Sequence, residues 1–351
     1  MWLKVRPGVR RFLAQMSEMF GDRLFVYTHA SLAYARRIMS VLDPRKSLFG
    51  DRVLATDLGR RLQENPLSDV KGKTLSEAAR FADRFVPFIG GMQDAPFDGG
   101  GGAVLDARNC LVLDDRGDAW TWGMASDDAG SSRNANNEWS SSAGNGLIEC
   151  LPYYFWGFSP AAAESHDRDG LWSFDPVSMA AGGNDSTALA SLGLAVGNVK
   201  ASYDEAVAQK ARAEADGTTS VPRVAANSGT RRDPRKRRSL PLPPDARLAA
   251  ALVRRRVLSG CVIVFSAVIP IGDKPEASRY WMMAETFGAR CEYSISNSTT
   301  HLVAVRDGTA KVAAASAQDR VAVVQLSWLV QSCARYERVN ENLCPLLPAR
   351  D

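Results

Sequence analysis

The sequence predicts an α/β protein built of two units, and three observations predict it. The chain has 351 residues, more than one ordinary domain of roughly 100–200 residues needs. In two separate regions, short apolar runs of strand length alternate with stretches of helical periodicity. Between those regions lies a long tract of small, polar and charged residues, the composition of a disordered linker. Hydrophobic residues at 45% and charged residues at 23% exclude a chain that is disordered throughout, collagen-like or coiled-coil along its length. No window approaches the roughly 18 uninterrupted apolar residues of a membrane span. The start, Met1 to Arg6, has no apolar signal-peptide core, so no membrane partner is expected.

The first unit occupies residues 1–156. After Pro7, which a first helical turn tolerates, Val9, Phe12, Leu13, Met16, Met19 and Phe20 recur on one face and predict an amphipathic helix. Gly21 and Asp22 interrupt it. Leu24-Phe25-Val26-Tyr27 is short enough for a buried strand, and Leu32, Ala35, Ile38, Met39 and Leu42 predict a second helix that Asp43-Pro44 stops. Cys110-Leu111-Val112-Leu113 is another short apolar run, ending in Asp114-Asp115, as expected of a buried parallel strand whose end points into a cleft.

Residues 125–145 consist of Ser, Asn, Gly and Asp and read as a flexible insertion. Residues 157–246 read as a low-complexity, basic and proline-rich linker. Within it, Ser202 to Ala213 has the composition of a solvated helix with a thin apolar stripe. Arg231, Arg232, Arg235, Lys236, Arg237 and Arg238 stand among eight consecutive residues with one acid. That run accounts for the net charge of +4, so the basic character is local and direct nucleic-acid binding is not expected. Six scattered cysteines without a C-x-x-C pair, and three histidines, indicate reduced thiols rather than a zinc site or a disulfide framework. Periodicity returns over residues 247–347. Val262–Phe265, His301–Ala304 and Val321–Val324 predict strands, and Arg279–Phe287, Lys311–Ala317 and Trp328–Arg335 predict helices.

Val5-Arg6-Pro7-Gly8-Val9, Phe25-Val26-Tyr27-Thr28, Tyr34-Ala35, Leu42-Asp43-Pro44, Leu48-Phe49-Gly50-Asp51-Arg52, Leu113-Asp114-Asp115-Arg116-Gly117-Asp118-Ala119-Trp120 and Leu151-Pro152-Tyr153-Tyr154-Phe155 arrive in one order. In that order they resemble the catalytic domain of the RNA polymerase II carboxy-terminal-domain phosphatases, of the haloacid dehalogenase superfamily. The resemblance implies a haloacid-dehalogenase-like parallel sheet with helices, and removal of phosphate from serine through an aspartyl-phosphate with Mg²⁺. Such chemistry needs a carboxylate nucleophile, an acid/base for the leaving hydroxyl, a divalent cation and donors for the phosphate oxygens. By the resemblance, Thr28 offers hydroxyl and backbone donors to phosphate, Asp115 binds Mg²⁺ and Asp114 orients the phosphate-binding lysine, the two acids sharing the metal side of the site. That lysine is Lys73, in a helix before the acidic strand, with Lys71 as its rival. His29 is expected to face solvent. Gly72-Lys73-Thr74 is not a nucleotide P-loop, because Leu67 stands where that motif requires glycine.

The family's nucleophile and acid/base are the aspartates of an Asp-x-Asp-x-Thr strand preceding the Arg-Pro-Gly segment, for which the five residues before Arg6 leave no room. The expectation is an incomplete sheet and a chain with little or no phosphatase activity. An incomplete gene model accounts for this better than a true pseudophosphatase, since a missing central strand leaves apolar surface uncovered.

Leu258 to Ser266, Ala284-Glu285-Thr286-Phe287-Gly288-Ala289, Thr300-His301-Leu302-Val303-Ala304, Val324 to Leu329 and Ser332-Cys333 resemble a BRCT domain. Gly288 permits a tight turn and Trp328 anchors helix to sheet, while His301 and Cys333 read as packing residues. Several such domains bind phosphoserine, which here implies Ser266, Lys311 and the nearby Thr309 as ligand groups. A phosphatase-like half followed by a BRCT domain is the architecture of the polymerase tail phosphatases. It implies the phosphorylated C-terminal tail of RNA polymerase II as substrate, general transcription factors as further partners, and the basic run as a nuclear localisation signal. The rival expectation is a non-catalytic scaffold whose BRCT domain recruits phosphorylated transcription or repair proteins.

Overall fold

The computed structural model describes residues 5–57, 60, 73–82, 84–85, 108–114, 120–121, 146–150, 187–215 and 244–346. Asp115, Lys71, the insertion at 125–145 and the basic run from Arg231 to Arg238 lie outside the described residues.

In the first half, α1 (Val9–Phe20) buries Phe12 and Met16, one turn apart on its apolar face, between glycines of positive φ at both ends. Helix α2 follows strand β1 (Val26–Thr28) and spans Leu32–Leu42. It starts where the Ser31 hydroxyl accepts the Tyr34 N–H, and it ends at Asp43. Strand β2 (Val53–Ala55) pairs with β1 in parallel, Val26 opposite Val53 and Thr28 opposite Ala55. Strand β3 (Lys73–Thr74) leads directly into α3 (Leu75–Ala82). Strand β4 (Val112–Asp114) precedes β5 (Trp120–Thr121) and β6 (Leu147–Glu149), and the pairs β3–β5 and β4–β6 are also parallel. Every strand pair among the described residues of this half is thus of the kind that α/β crossovers make. One expectation is corrected: Lys73 lies on a strand, just before the helix in which the sequence pattern placed it, so its side chain is set by pairing with β5.

The linker reading is also corrected. Helix α4 (Ala188–Ala215) is a 28-residue helix inside the tract read as low-complexity. Its first half buries Leu189, Leu192, Val196 and Val199 against α1 and against α5 (Ala246–Val257), which Asp245 caps. Gly193 leaves room for the Gln15 side chain, because a Cβ there would fall within 2.3 Å of it. From Lys200 onward α4 is largely exposed and carries the ion pairs Lys200–Asp204 and Lys210–Glu214.

The C-terminal unit adds β7 (Val262–Ser266), α6 (Arg279–Thr286), β8 (Arg290–Glu292), β9 (His301–Ala304), α7 (Ala310–Ser316), β10 (Ala322–Gln325) and α8 (Leu326–Arg335). Its parallel sheet has the order β10-β9-β7-β8. Trp328 is fully buried in its core, and its indole N–H donates to the Val339 carbonyl at 2.8 Å. Cys333 is buried beside it. His301 does more than pack. Its ring stacks on Trp328 at 4.6 Å and hydrogen-bonds Thr300 and Glu341. Gly288 has φ 98, and a Cβ there would lie 1.9 Å from the Arg255 carbonyl oxygen, so the turn tolerates no side chain.

Candidate functional site

Strand β4 brings Asp114 to the Lys73 ammonium, with Nζ 2.6 Å from Oδ2 and both side chains largely buried, at 14% and 10% exposure. The Trp120 indole N–H donates to the same oxygen at 2.7 Å. Trp120 lies directly opposite Lys73 in the parallel β3–β5 pair, which is why the three groups meet. The Lys73 ammonium stands 5.5 Å from the Trp120 ring centroid and 6.0 Å from that of Tyr27. The two rings touch edge to face, with centroids 5.5 Å apart. The Tyr27 hydroxyl donates to the Glu77 carboxylate and accepts the Thr74 N–H.

Thr28 ends β1 one residue beyond Tyr27. Its hydroxyl accepts the Ala30 N–H at 3.1 Å, and its carbonyl accepts the Thr56 N–H at 3.0 Å. His29 is half-buried against Tyr27, with ring centroids 6.1 Å apart, rather than facing solvent. Tyr27 and Glu77 were not legible as site residues, because neither stands in the stretch that carries the acidic pair. Trp120 was legible as a motif residue and not as a partner of Asp114.

Among the described residues no group of three His, Cys, Asp or Glu side chains could hold a metal. Asp114 gives one oxygen to Lys73 and Trp120 together, whereas Mg²⁺ demands about six oxygen ligands. The described donors therefore do not themselves make a magnesium site.

A second cluster sits at the C-terminal edge of the other sheet. Ser266 ends β7, Thr309 caps α7 by accepting the Val312 N–H, and their hydroxyls are 2.7 Å apart. Lys311 reaches back to donate to the carbonyls of Phe265 and Tyr293 at 3.0 and 2.9 Å. All three residues singled out in this unit come together. Partial burial holds the Lys311 ammonium below the ordinary lysine range.

Comparison with known proteins gives two matched regions. Residues 1–85 match the NLI interacting factor-like phosphatase family, and residues 253–333 match the BRCT (BRCA1 C terminus) domain. The chain is 27% identical over 94% of its length to RNA polymerase II C-terminal domain phosphatase-like 4 of Arabidopsis thaliana, covering 54% of that protein. It is 24% identical over 98% of its length to an RNA polymerase II C-terminal domain phosphatase of Caenorhabditis elegans, covering 39% of it. The chain thus spans about half or less of these relatives. Two solved structures of the RNA polymerase II CTD phosphatase Fcp1, one of them the fission yeast protein bound to beryllium fluoride, superpose on 98% of the chain and 80% of their own. The TM-score is 0.56 at 23% identity for both, which establishes the shared fold. The chain therefore carries one segment that matches the NLI interacting factor-like phosphatase family and one that matches the BRCT domain, and the full-length relatives it resembles are RNA polymerase II C-terminal-domain phosphatases.

Proposed function

We propose that this chain recognises phosphoserine in the C-terminal tail of RNA polymerase II, in the nucleus, as a member of the carboxy-terminal-domain phosphatases. The observation that carries the reading is the Lys73–Asp114 contact at 2.6 Å. A lysine fixed by a buried carboxylate at the end of a parallel strand is a preformed counter-charge for phosphate. Thr28 presents a hydroxyl from the end of the neighbouring β1. Asp115, next to Asp114, is the carboxylate for Mg²⁺, which would neutralise charge on the phosphate oxygens. Asp114 serves the lysine in preference to the metal.

The Asp-x-Asp-x-Thr motif that would supply the nucleophile and the acid/base does not occur within the 351 residues. The 351-residue chain accordingly binds a phosphorylated tail and turns it over slowly or not at all. The cluster of Ser266, Thr309 and Lys311 adds a second phosphoserine contact. It also favours the alternative of a non-catalytic scaffold for phosphorylated transcription or repair proteins. The run from Arg231 to Arg238 is proposed as the nuclear localisation signal.

The test uses the purified chain with a phosphorylated and an unphosphorylated tail peptide, and an aryl phosphate with Mg²⁺. Tighter binding of the phosphorylated peptide, weakened by Lys73→Ala and by Lys311→Ala separately, supports the reading. Loss only with Lys311→Ala favours the scaffold. Equal binding of both peptides removes phosphoserine recognition, and aryl phosphate hydrolysis that Asp115→Asn abolishes removes the proposed silence.

A further inference from the structure

We propose that Trp120 and Tyr27 are positioning residues that hold the Lys73 ammonium in a three-sided clamp. Two aromatic faces and the Asp114 carboxylate together fix where its remaining N–H donors point. This rests on the reading of Lys73 as the phosphate-binding lysine, and it says what makes that lysine competent. A lysine side chain is a flexible four-carbon stem ending in a strongly hydrated charge. Left to itself it loses much of its freedom each time it meets a ligand.

In this fold that freedom is removed beforehand. The backbone sets Trp120 opposite Lys73 in the β3–β5 pair. The indole N–H then donates to Asp114 Oδ2 at 2.7 Å, the same oxygen that lies 2.6 Å from Nζ. One tryptophan thereby fixes the counter-ion with its edge and presents its ring to the cation, at 5.5 Å from the centroid. Tyr27 supplies the second ring, at 6.0 Å, packed edge to face on Trp120. The tyrosine is itself tethered, because its hydroxyl donates to Glu77 at the start of α3 and accepts the Thr74 N–H. A ring that merely filled space would need neither the shared carboxylate oxygen nor the tether. Tyr27 precedes Thr28 in β1, so the tether that steadies the ring also steadies the strand end from which the threonine hydroxyl is offered.

The experiment reads two signals in the full chain, with melting temperature as the control for folding. The first is the Lys73 Cε–Hε resonance in a carbon–proton NMR spectrum, assigned by its disappearance in Lys73→Arg. Ring currents from both faces move it upfield of the other lysines, and Trp120→Leu moves it part of the way back. The second is affinity for inorganic phosphate. Trp120→Leu weakens it by roughly tenfold, and Trp120→Phe, which keeps a ring and loses the indole N–H, by a smaller factor of about three. Tyr27→Phe, which keeps its ring and loses the tether, falls between parent and Trp120→Leu in both signals. A Lys73 resonance in the parent at the position of an exposed lysine overturns the clamp. So does phosphate affinity that Lys73→Ala reduces and a folded Trp120→Leu does not. Affinity unchanged by Lys73→Ala overturns instead the assignment of the lysine, and with it the role of the rings in binding, whatever the NMR shift shows.

Discussion

The Arg254 guanidinium of α5 donates a hydrogen bond to the Leu147 carbonyl of β6, so a side chain from the C-terminal unit completes the backbone bonding of a strand in the first half. Arg254 is 5% exposed, and it also bonds the buried Tyr336 hydroxyl at the end of α8. Burial pushes the Tyr336 hydroxyl pKa up, Arg254 opposes that shift, and Glu149 acts on the same tyrosine with the other sign. Replacing Arg254 with Met leaves the Leu147 carbonyl and the Tyr336 hydroxyl without the cation they share. The expected cost is about 2–4 kcal/mol, read as a lower melting temperature of the whole chain. A variant that melts with the parent would show that this contact contributes nothing to joining the two units.

Strong acid should weaken the fold at Asp43. Its carboxylate, 5% exposed, accepts N–H groups from Ser47, Leu48, Phe49 and Gly50, which closes the turn between α2 and β2. Burial alone would raise its pKa, but the four donors prevail and hold it below the ordinary carboxylate value. A depressed folded pKa contributes stability that is complete above the unfolded value and is lost as pH falls through the folded one. Asp43→Asn keeps one acceptor oxygen and loses the charge, so it costs about 1–3 kcal/mol at pH 7. The gap between parent and variant in urea midpoint narrows as the pH is brought below 4. A gap that stays constant with pH would place the effect in packing.

His301 gives a second pH dependence, at a higher range. Burial lowers its pKa below 6.5, Glu341 opposes that shift, and Arg338 reinforces it. The unfolded chain then takes up this proton at higher pH than the folded one. The neutral ring's contribution is therefore full above about 6.5 and is lost as pH falls through the folded value. The parent should lose stability between pH 6.5 and 5 in a way that His301→Gln does not. Identical slopes in the two proteins would mean that the ring takes up its proton equally in the folded and unfolded states across that range.

Much of this architecture was legible in the sequence, for reasons that also explain what was not. The first two helices and the paired acids are local signals. Phe12 and Met16 repeat along one helical face, and Asp43-Pro44 is a local stop. The inward half of α4 escaped because Ala and Gly dominate it. Its stripe of Leu189, Leu192, Val196 and Val199 has helical spacing, but it is diluted among small residues that resemble linker composition. Those small residues are what let α1 and α5 approach closely. Lys73 was placed by its neighbours Thr74 and Leu75, which do begin a helix at Leu75. The strand before it is set by pairing with Trp120, a partner 47 residues away that local periodicity does not register. Asp43 read as a helix stop, and its four backbone donors follow from a turn that only tertiary structure defines.

Lys311 has few donors to spare for a ligand. An ammonium carries three N–H groups, and two of them are committed to the Phe265 and Tyr293 carbonyls. The Ser266 and Thr309 hydroxyls lie 2.7 Å apart, Ser266 following the Phe265 whose carbonyl the ammonium bonds. A phosphate arriving here meets one free lysine donor at most, so the hydroxyls have to supply the other bonds. Thr309→Val removes one hydroxyl and also the cap that accepts the Val312 N–H, which costs about 1 kcal/mol of stability. Thr309→Ser keeps both functions. If the hydroxyl binds phosphate, Thr309→Ser retains the affinity of the parent for a phosphoserine peptide in isothermal titration, whereas Thr309→Val loses about tenfold. Lys311→Arg is not conservative at this position, because a planar guanidinium cannot cap the two carbonyls and the phosphate as a compact ammonium does. It should lose affinity with a smaller loss of stability than Lys311→Ala. Equal affinity of parent and Thr309→Val would show that the threonine only caps the helix and that phosphate, if bound, is held elsewhere.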